Sequence, residues 1–130
     1  MSDIKIQQSL NNLQKAVARL KEALAQPHDN PLIIDGTIQR FEFVIELFWK
    51  TLKRLLAAEG IEANTPKESF KKAFAAGWLH DETAWLQMLQ DRNETSHVYD
   101  EEKAQEIYSH VQQNFPELER VFCELSHKMK

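Results

Sequence analysis

The sequence predicts an all-α fold, an up-and-down bundle of four to five helices, and three observations carry the prediction. Apolar residues recur at steps of three and four over long segments, the period of a helix buried on one side rather than of a strand. Only three glycines and four prolines occur in 130 residues, and they fall between the periodic segments. Each segment also opens on a residue suited to cap a helix N-terminus, and short loops between such helices keep neighbours antiparallel.

The first helix, capped by Ser2 or Asp3, carries Ile6, Leu10, Leu13, Val17, Leu20 and Leu24 on one face and ends by Pro27. Asn30 followed by Pro31 suits an N-cap and first helical residue, because proline has no N–H to leave unpaired there. The second helix runs to about Ala58 and stops at Gly60. Its seam is Ile38, Phe41, Ile45, Phe48, Leu52 and Leu55, while Ile33, Phe43 and Leu47 fall outside it, so this helix is central or has a second apolar partner.

Thr65-Pro66-Lys67-Glu68 combines a capping box with proline at the first helical position and starts a short third helix with Phe70, Ala73 and Phe74, ended by Gly77. Asp81 caps a fourth, with Trp85, Met88 and Leu89 inward. Asp100 caps a fifth segment with Ala104, Ile107, Tyr108 and Val111 on one face. Pro116 is expected to break or kink it, since its ring clashes with the carbonyl four residues earlier, before Leu118, Val121, Phe122 and Leu125 resume the pattern.

No repeat, low-complexity tract or linker divides the chain, so residues 1–130 read as one domain, large enough to bury a core without disulfides or metal. The single cysteine, Cys123, cannot form an internal disulfide and suits a reducing, cytoplasmic compartment. No apolar run approaches the roughly 20 residues that span a bilayer, and the N-terminus lacks the layout of a signal peptide, so no membrane is expected as a partner. At a formal net charge of -4 the chain has no overall basic field, and a polyanion must bind a local patch.

The junction between the fourth and fifth segments, "QDRNETSHVYDEE", concentrates Arg92, Asn93, His97 and Tyr99. In one unbroken helix Arg92 and His97 would stand about 140° apart, so they converge only if the helix ends between them or a second subunit completes the site. Asp100 as the next cap argues for such an ending. Imidazole exchanges protons near neutral pH, and guanidinium stays charged while offering donors that match phosphate oxygens. Together they suit phosphodiester cleavage without metal or cofactor. His97 would take the proton of a ribose 2′-hydroxyl or give one to the leaving oxygen, Arg92 would stabilise charge at phosphorus, and Asn93 would hold the histidine or the phosphate. The plainer reading is a helix C-terminus whose polar residues complement the macrodipole and loose carbonyls. Seven acids between Asp81 and Glu102 against one base, Arg92, are poor company for RNA.

The blocks "IQRFEFVIELFWKTLKRLL", "TPKESFKKAFAAGWL" and "WLQMLQDRNETSHVYDEE" resemble those of the nucleotidyltransferase substrate-binding proteins, a branch of the HEPN superfamily. The resemblance runs from Ile38 to Glu102. Its diagnostic motif is R-x4-H with a polar residue after the arginine and a tyrosine two past the histidine, places filled by Arg92, Asn93, His97 and Tyr99. It implies a homodimer in which two motifs face a common cleft, with two histidines per site. It implies a metal-independent ribonuclease toxin acting on RNA, tRNA among the candidate substrates, with a minimal nucleotidyltransferase as antitoxin partner that transfers AMP from ATP onto Tyr99. Bulk and negative charge beside Arg92 would then block substrate phosphate. The alternative within the same resemblance is a non-catalytic subunit that presents substrate to the transferase.

His28, His80, His110 and His127 show no metal spacing with each other or with Cys123, so no metal site is expected. The basic clusters are Lys50, Lys53 and Arg54, opposite the seam of the second helix, and Lys67, Lys71 and Lys72 on the third; a solvated helix face explains both. Glu42 and Glu46 could be read as paired carboxylates. The preferred reading pairs Glu46 with Lys50, or lets either acid hold Arg92 from across the bundle. Trp49, Trp78 and Trp85 read as core or interface.

Overall fold

A computed structural model of the chain describes residues 2–97 and 100–128, together with all side chains there except those of Ser2, Asp3 and His97. The helices are α1 (Ser2–Leu24), α2 (Pro31–Ala58), α3 (Pro66–Ala75), α4 (Glu82–Asn93) and α5 (Glu101–Lys128), with one 3-10 turn, Thr95–His97, between the last two. Among the described residues there is no strand.

Side-chain chemistry fixes most of the boundaries. Asn30 Oδ1 accepts from the Leu32 N–H ahead of Pro31. Thr65 Oγ1 accepts from the Glu68 N–H, and Glu68 returns the bond to the N–H of Asn64, one residue before the cap. Asp81 and Asp100 cap α4 and α5 through bonds from the N–H groups of Ala84 and Glu102. Gly60 and Gly77 turn the chain out of α2 and α3 with φ of 80° and 85°, a region a side chain would strain. Ser2 and Asp3 lie inside α1 rather than ahead of it, and their side chains are outside the described residues.

Helix α2 is the centre of the bundle and touches each of the other four helices, while consecutive helices are neighbours throughout. All six of its seam residues are buried, with Phe41, Ile45, Phe48 and Leu52 fully so. Phe48 and Phe70 pack on the Trp85 ring at centroid distances of 4.6 and 5.4 Å, which locks α2, α3 and α4 together. Off the seam, Leu47 packs on the core, but Phe43 stays 60% exposed, so no helix among the described residues covers it. Phe74 also faces outward at 40% exposure.

Of the break or kink expected at Pro116, the break is absent, because α5 runs through it. The proline is exposed and Gln112, whose carbonyl loses its partner, is exposed as well, so water can satisfy that oxygen. Val111, Phe115, Leu118 and Phe122 remain buried on both sides of it.

Glu117 was not anticipated as a structural residue. Its carboxylate accepts from the Trp85 indole Nε1 at 2.9 Å and from the N–H groups of His80 and Asp81 at 3.0 and 3.2 Å, and so ties α5 to the start of α4. Burial pushes this carboxyl up, but those bonds and one from Arg120 outweigh it and hold it below its ordinary value.

Candidate functional site

The junction opens where α4 ends. Asn93 is the last helical residue, Thr95 Oγ1 donates to the Arg92 carbonyl at 2.8 Å, and the backbone then tightens into the 3-10 turn that closes on His97. The helix therefore ends between Arg92 and His97, as convergence of the two requires. The His97 side chain, Val98 and Tyr99 lie outside the described residues.

Arg92 sits on the last turn of α4 with its side chain 29% exposed, held from two directions. One guanidinium nitrogen donates to Asn93 Oδ1 at 3.1 Å, and the other donates to Glu46 Oε1 on α2. A guanidinium has five N–H donors, so the fork retains donors for an incoming oxyanion. Asn93 is thus placed beside the cation, a contact other than the histidine or phosphate that the sequence reading gave it.

Glu46 holds Arg92 from across the bundle and also meets Lys50, combining both sequence readings of this acid. Its second oxygen accepts from Trp49 Nε1 at 3.1 Å and lies 3.6 Å from Lys50 Nζ. Burial pushes the Glu46 carboxyl up; hydrogen bonds from Trp49 and Arg92, with the charges of Arg92 and Lys50, outweigh burial and hold it below its ordinary value.

The acids near the junction are less hostile to a phosphate than their number suggested. Asp91 is buried, accepting from Gln87 at 3.1 Å and facing His110 Nδ1 at 3.0 Å. Burial lifts its carboxyl above the ordinary value in spite of those two partners, which reduces its tendency to carry charge. Glu94 is bound by Lys103 at 2.7 Å and by Gln90 at 3.2 Å. Sequence reasoning missed Asp91, His110 and Lys103. Asp91 carried a signal, since Trp85, Met88 and Asp91 recur at core spacing and so place an acid on the buried face of α4.

The remaining candidates fall elsewhere. Trp85 is core, Trp78 lies against the core with the Lys128 ammonium 4.9 Å from its ring, and His80 pairs with Glu124 at 2.6 Å far along α5. Among the described residues no three His, Cys, Asp or Glu side chains cluster in a way that could hold a metal ion. No helix among them is long and apolar enough to cross a membrane.

Comparison with known proteins places this geometry. Residues 8–130 match the family model described as nucleotidyltransferase substrate binding protein like. The chain is 32% identical over 119 residues to a protein of Haemophilus influenzae named probable ribonuclease HepT, covering 79% of this chain and 82% of that one. Among solved structures, it is similar to a Haemophilus influenzae protein described as revealing the fold of a substrate binding domain of a nucleotidyltransferase, with TM-score 0.81 and 31% identity over 90% of this chain and 98% of that one. A crystal structure of a Thermus thermophilus protein is similar to the same degree, with TM-score 0.79 and 32% identity over 91% and 98% of the two chains.

Proposed function

The chain belongs to the nucleotidyltransferase substrate binding protein like family of the HEPN superfamily, and from that premise we propose that it is a metal-independent endoribonuclease built on Arg92, Asn93 and His97. The observation that carries the reading is Arg92: a half-buried guanidinium at a helix break, pre-positioned by Glu46 and Asn93 and still holding donors for a phosphate. The similarity to a probable ribonuclease points the same way.

In the proposed reaction, His97 accepts the proton of a ribose 2′-hydroxyl as that oxygen attacks the adjacent phosphorus. The bond to the 5′-oxygen breaks, and a second His97, from the other protomer of a homodimer, protonates the leaving oxygen. The products are a 2′,3′-cyclic phosphate and a 5′-hydroxyl. Arg92 stabilises the charge that builds on the phosphoryl oxygens, and Asn93 keeps its guanidinium in register. The exposed Phe43 gives the two-fold interface an apolar anchor. The whole chain acts as a single domain in the cytoplasm.

The partner in this reading is a minimal nucleotidyltransferase that serves as antitoxin by placing AMP on Tyr99. The phosphodiester so formed adds negative charge and a nucleoside near Arg92 and competes with substrate phosphate. The description of the solved Haemophilus influenzae relative favours a second reading, a non-catalytic subunit presenting substrate to the transferase. Expression of the chain alone in bacteria separates the two. Growth arrest relieved by His97→Ala, or by co-expressing the transferase, is the ribonuclease result; unimpaired growth with the wild-type chain is the substrate-binding result.

A further inference from the structure

Two basic surfaces could meet an RNA strand, and the structure separates them. On α3, Lys71 lies 3.9 Å from Glu82, and Lys72 lies 3.9 Å from Glu68 while also donating to the Glu62 carbonyl. Those two charges are engaged within the protein, while Lys67, exposed on the same helix, has no ion-pair partner among the described residues. On α2, Lys53 and Arg54 are exposed and have no ion-pair partner among the described residues. The ion-pair partner of Lys50 is Glu46, at 3.6 Å, and that acid is already held by Arg92 and Trp49.

Position along the helix matters as much as freedom. Residues 46, 50 and 54 follow at steps of four, about 40° apart around the axis, and residue 53 falls about 20° to the other side of 46, so all four share one outward stripe. The stripe begins at the carboxylate that holds Arg92. From there it rises about 12 Å to Arg54. Lys50, Lys53 and Arg54 can each meet one phosphate along this rise, so the stretch takes about three phosphates of a strand. The opposite approach to Arg92, over the start of α5, passes the exposed acids Asp100, Glu101 and Glu102 and repels a polyanion.

We propose that Lys50, Lys53 and Arg54 form a track for the RNA backbone, binding the phosphates that flank the one held at Arg92. The proposal rests on the ribonuclease reading above and adds the direction in which the substrate leaves the site. It makes these three side chains determinants of affinity for long substrates and leaves the bond-breaking step to Arg92 and His97. Lys71 and Lys72 take no part.

The test compares the wild-type chain with the triple variant Lys50→Gln, Lys53→Gln, Arg54→Gln on a fluorescent single-stranded RNA of about 20 nucleotides, enough to cover the roughly three phosphates of the track, and on a dinucleotide too short to reach it. On the long RNA the triple variant is expected to raise KM at least about tenfold, leave kcat within about twofold, and lower the slope of log Kd against log salt by about two, near 0.7 per lost phosphate contact. Dinucleotide cleavage persists and the triple variant still melts as a folded protein, and Lys71→Gln with Lys72→Gln changes cleavage of neither substrate. Wild-type KM and salt slope in the triple variant overturn the track while leaving the ribonuclease reading intact. Loss of dinucleotide cleavage by a folded triple variant overturns it too, because the residues would then act at the reacting phosphate. A wild-type chain that neither binds nor cleaves either RNA removes both readings together.

Discussion

Glutamine in place of Glu46 keeps an oxygen for the Trp49 indole but removes the charge facing Arg92 and Lys50. The two side chains of the Arg92–Glu46 pair are 29% and 30% exposed. That places the pair between a rim pair worth about 0.2–1 kcal/mol and a buried one whose breakage costs about 3–5 kcal/mol. The expected loss for Glu46→Gln at neutral pH is therefore about 1–2 kcal/mol. With an unfolding entropy of about 2.1 cal/mol/K per residue, a chain of this length should melt about 4 to 7 °C lower. A double-mutant cycle with Arg92→Gln isolates the pair and should return a coupling of about 1 kcal/mol. The acid dependence supplies an internal control. The Glu46 carboxyl lies below its ordinary value of 4.5 in the folded chain, so its stabilisation is complete above that value and fades as pH falls through the lowered one. Thermal melts at a series of pH values should show the gap between wild type and E46Q closing in acid. A coupling within about 0.3 kcal/mol of zero, or a gap that persists in acid, would refute the claim that Glu46 holds Arg92 in solution.

Phe48 is fully buried on the Trp85 ring, so Phe48→Ala should cost about 3–5 kcal/mol, and a melt indistinguishable from wild type would show that α2 is oriented wrongly here. Glu117→Ala strips the acceptor from the Trp85 indole and from two backbone N–H groups, an expected loss of about 2–4 kcal/mol by denaturant titration; a loss under about 0.5 kcal/mol, the scale of an ordinary surface substitution, would mean water replaces the carboxylate freely. Tyr99→Phe keeps the ring and loses the hydroxyl, so intact-mass spectrometry after incubation with the transferase and ATP should show added AMP on the wild type and none on the variant. Equal labelling of both would exclude Tyr99 as the main acceptor.

The helices were legible because local chemistry and tertiary packing agree on them. Asn30-Pro31, Thr65 with Glu68, Asp81 and Asp100 cap their own helices within two or three residues, and a signal that local survives without knowledge of the fold. Pro116 leaves α5 continuous because its local cost is offset by burial of Phe115 and Leu118 in the core, a tertiary effect that local sequence does not display. The site was legible in part. Arg92, Asn93 and the helix break follow from the motif and its caps, whereas the choice of Glu46 as the acid across the bundle depends on how α2 is turned, and the sequence left Glu42 and Glu46 as rivals. Glu117 carried no periodic mark at all. Its role comes from an indole N–H and an exposed helix start that meet it from 32 to 37 residues away.

The most direct measurement is cleavage of end-labelled RNA by the purified chain, its Arg92→Ala variant and its His97→Ala variant, with the ends of the fragments identified. On the ribonuclease reading the wild type cuts without added metal and leaves 2′,3′-cyclic phosphate ends. Each variant should be slower by about 100-fold or more while melting as a folded protein, because each loses a group needed in the transition state. Cleavage by His97→Ala at the wild-type rate, or a dimeric and fully folded wild type that leaves RNA intact, would contradict it.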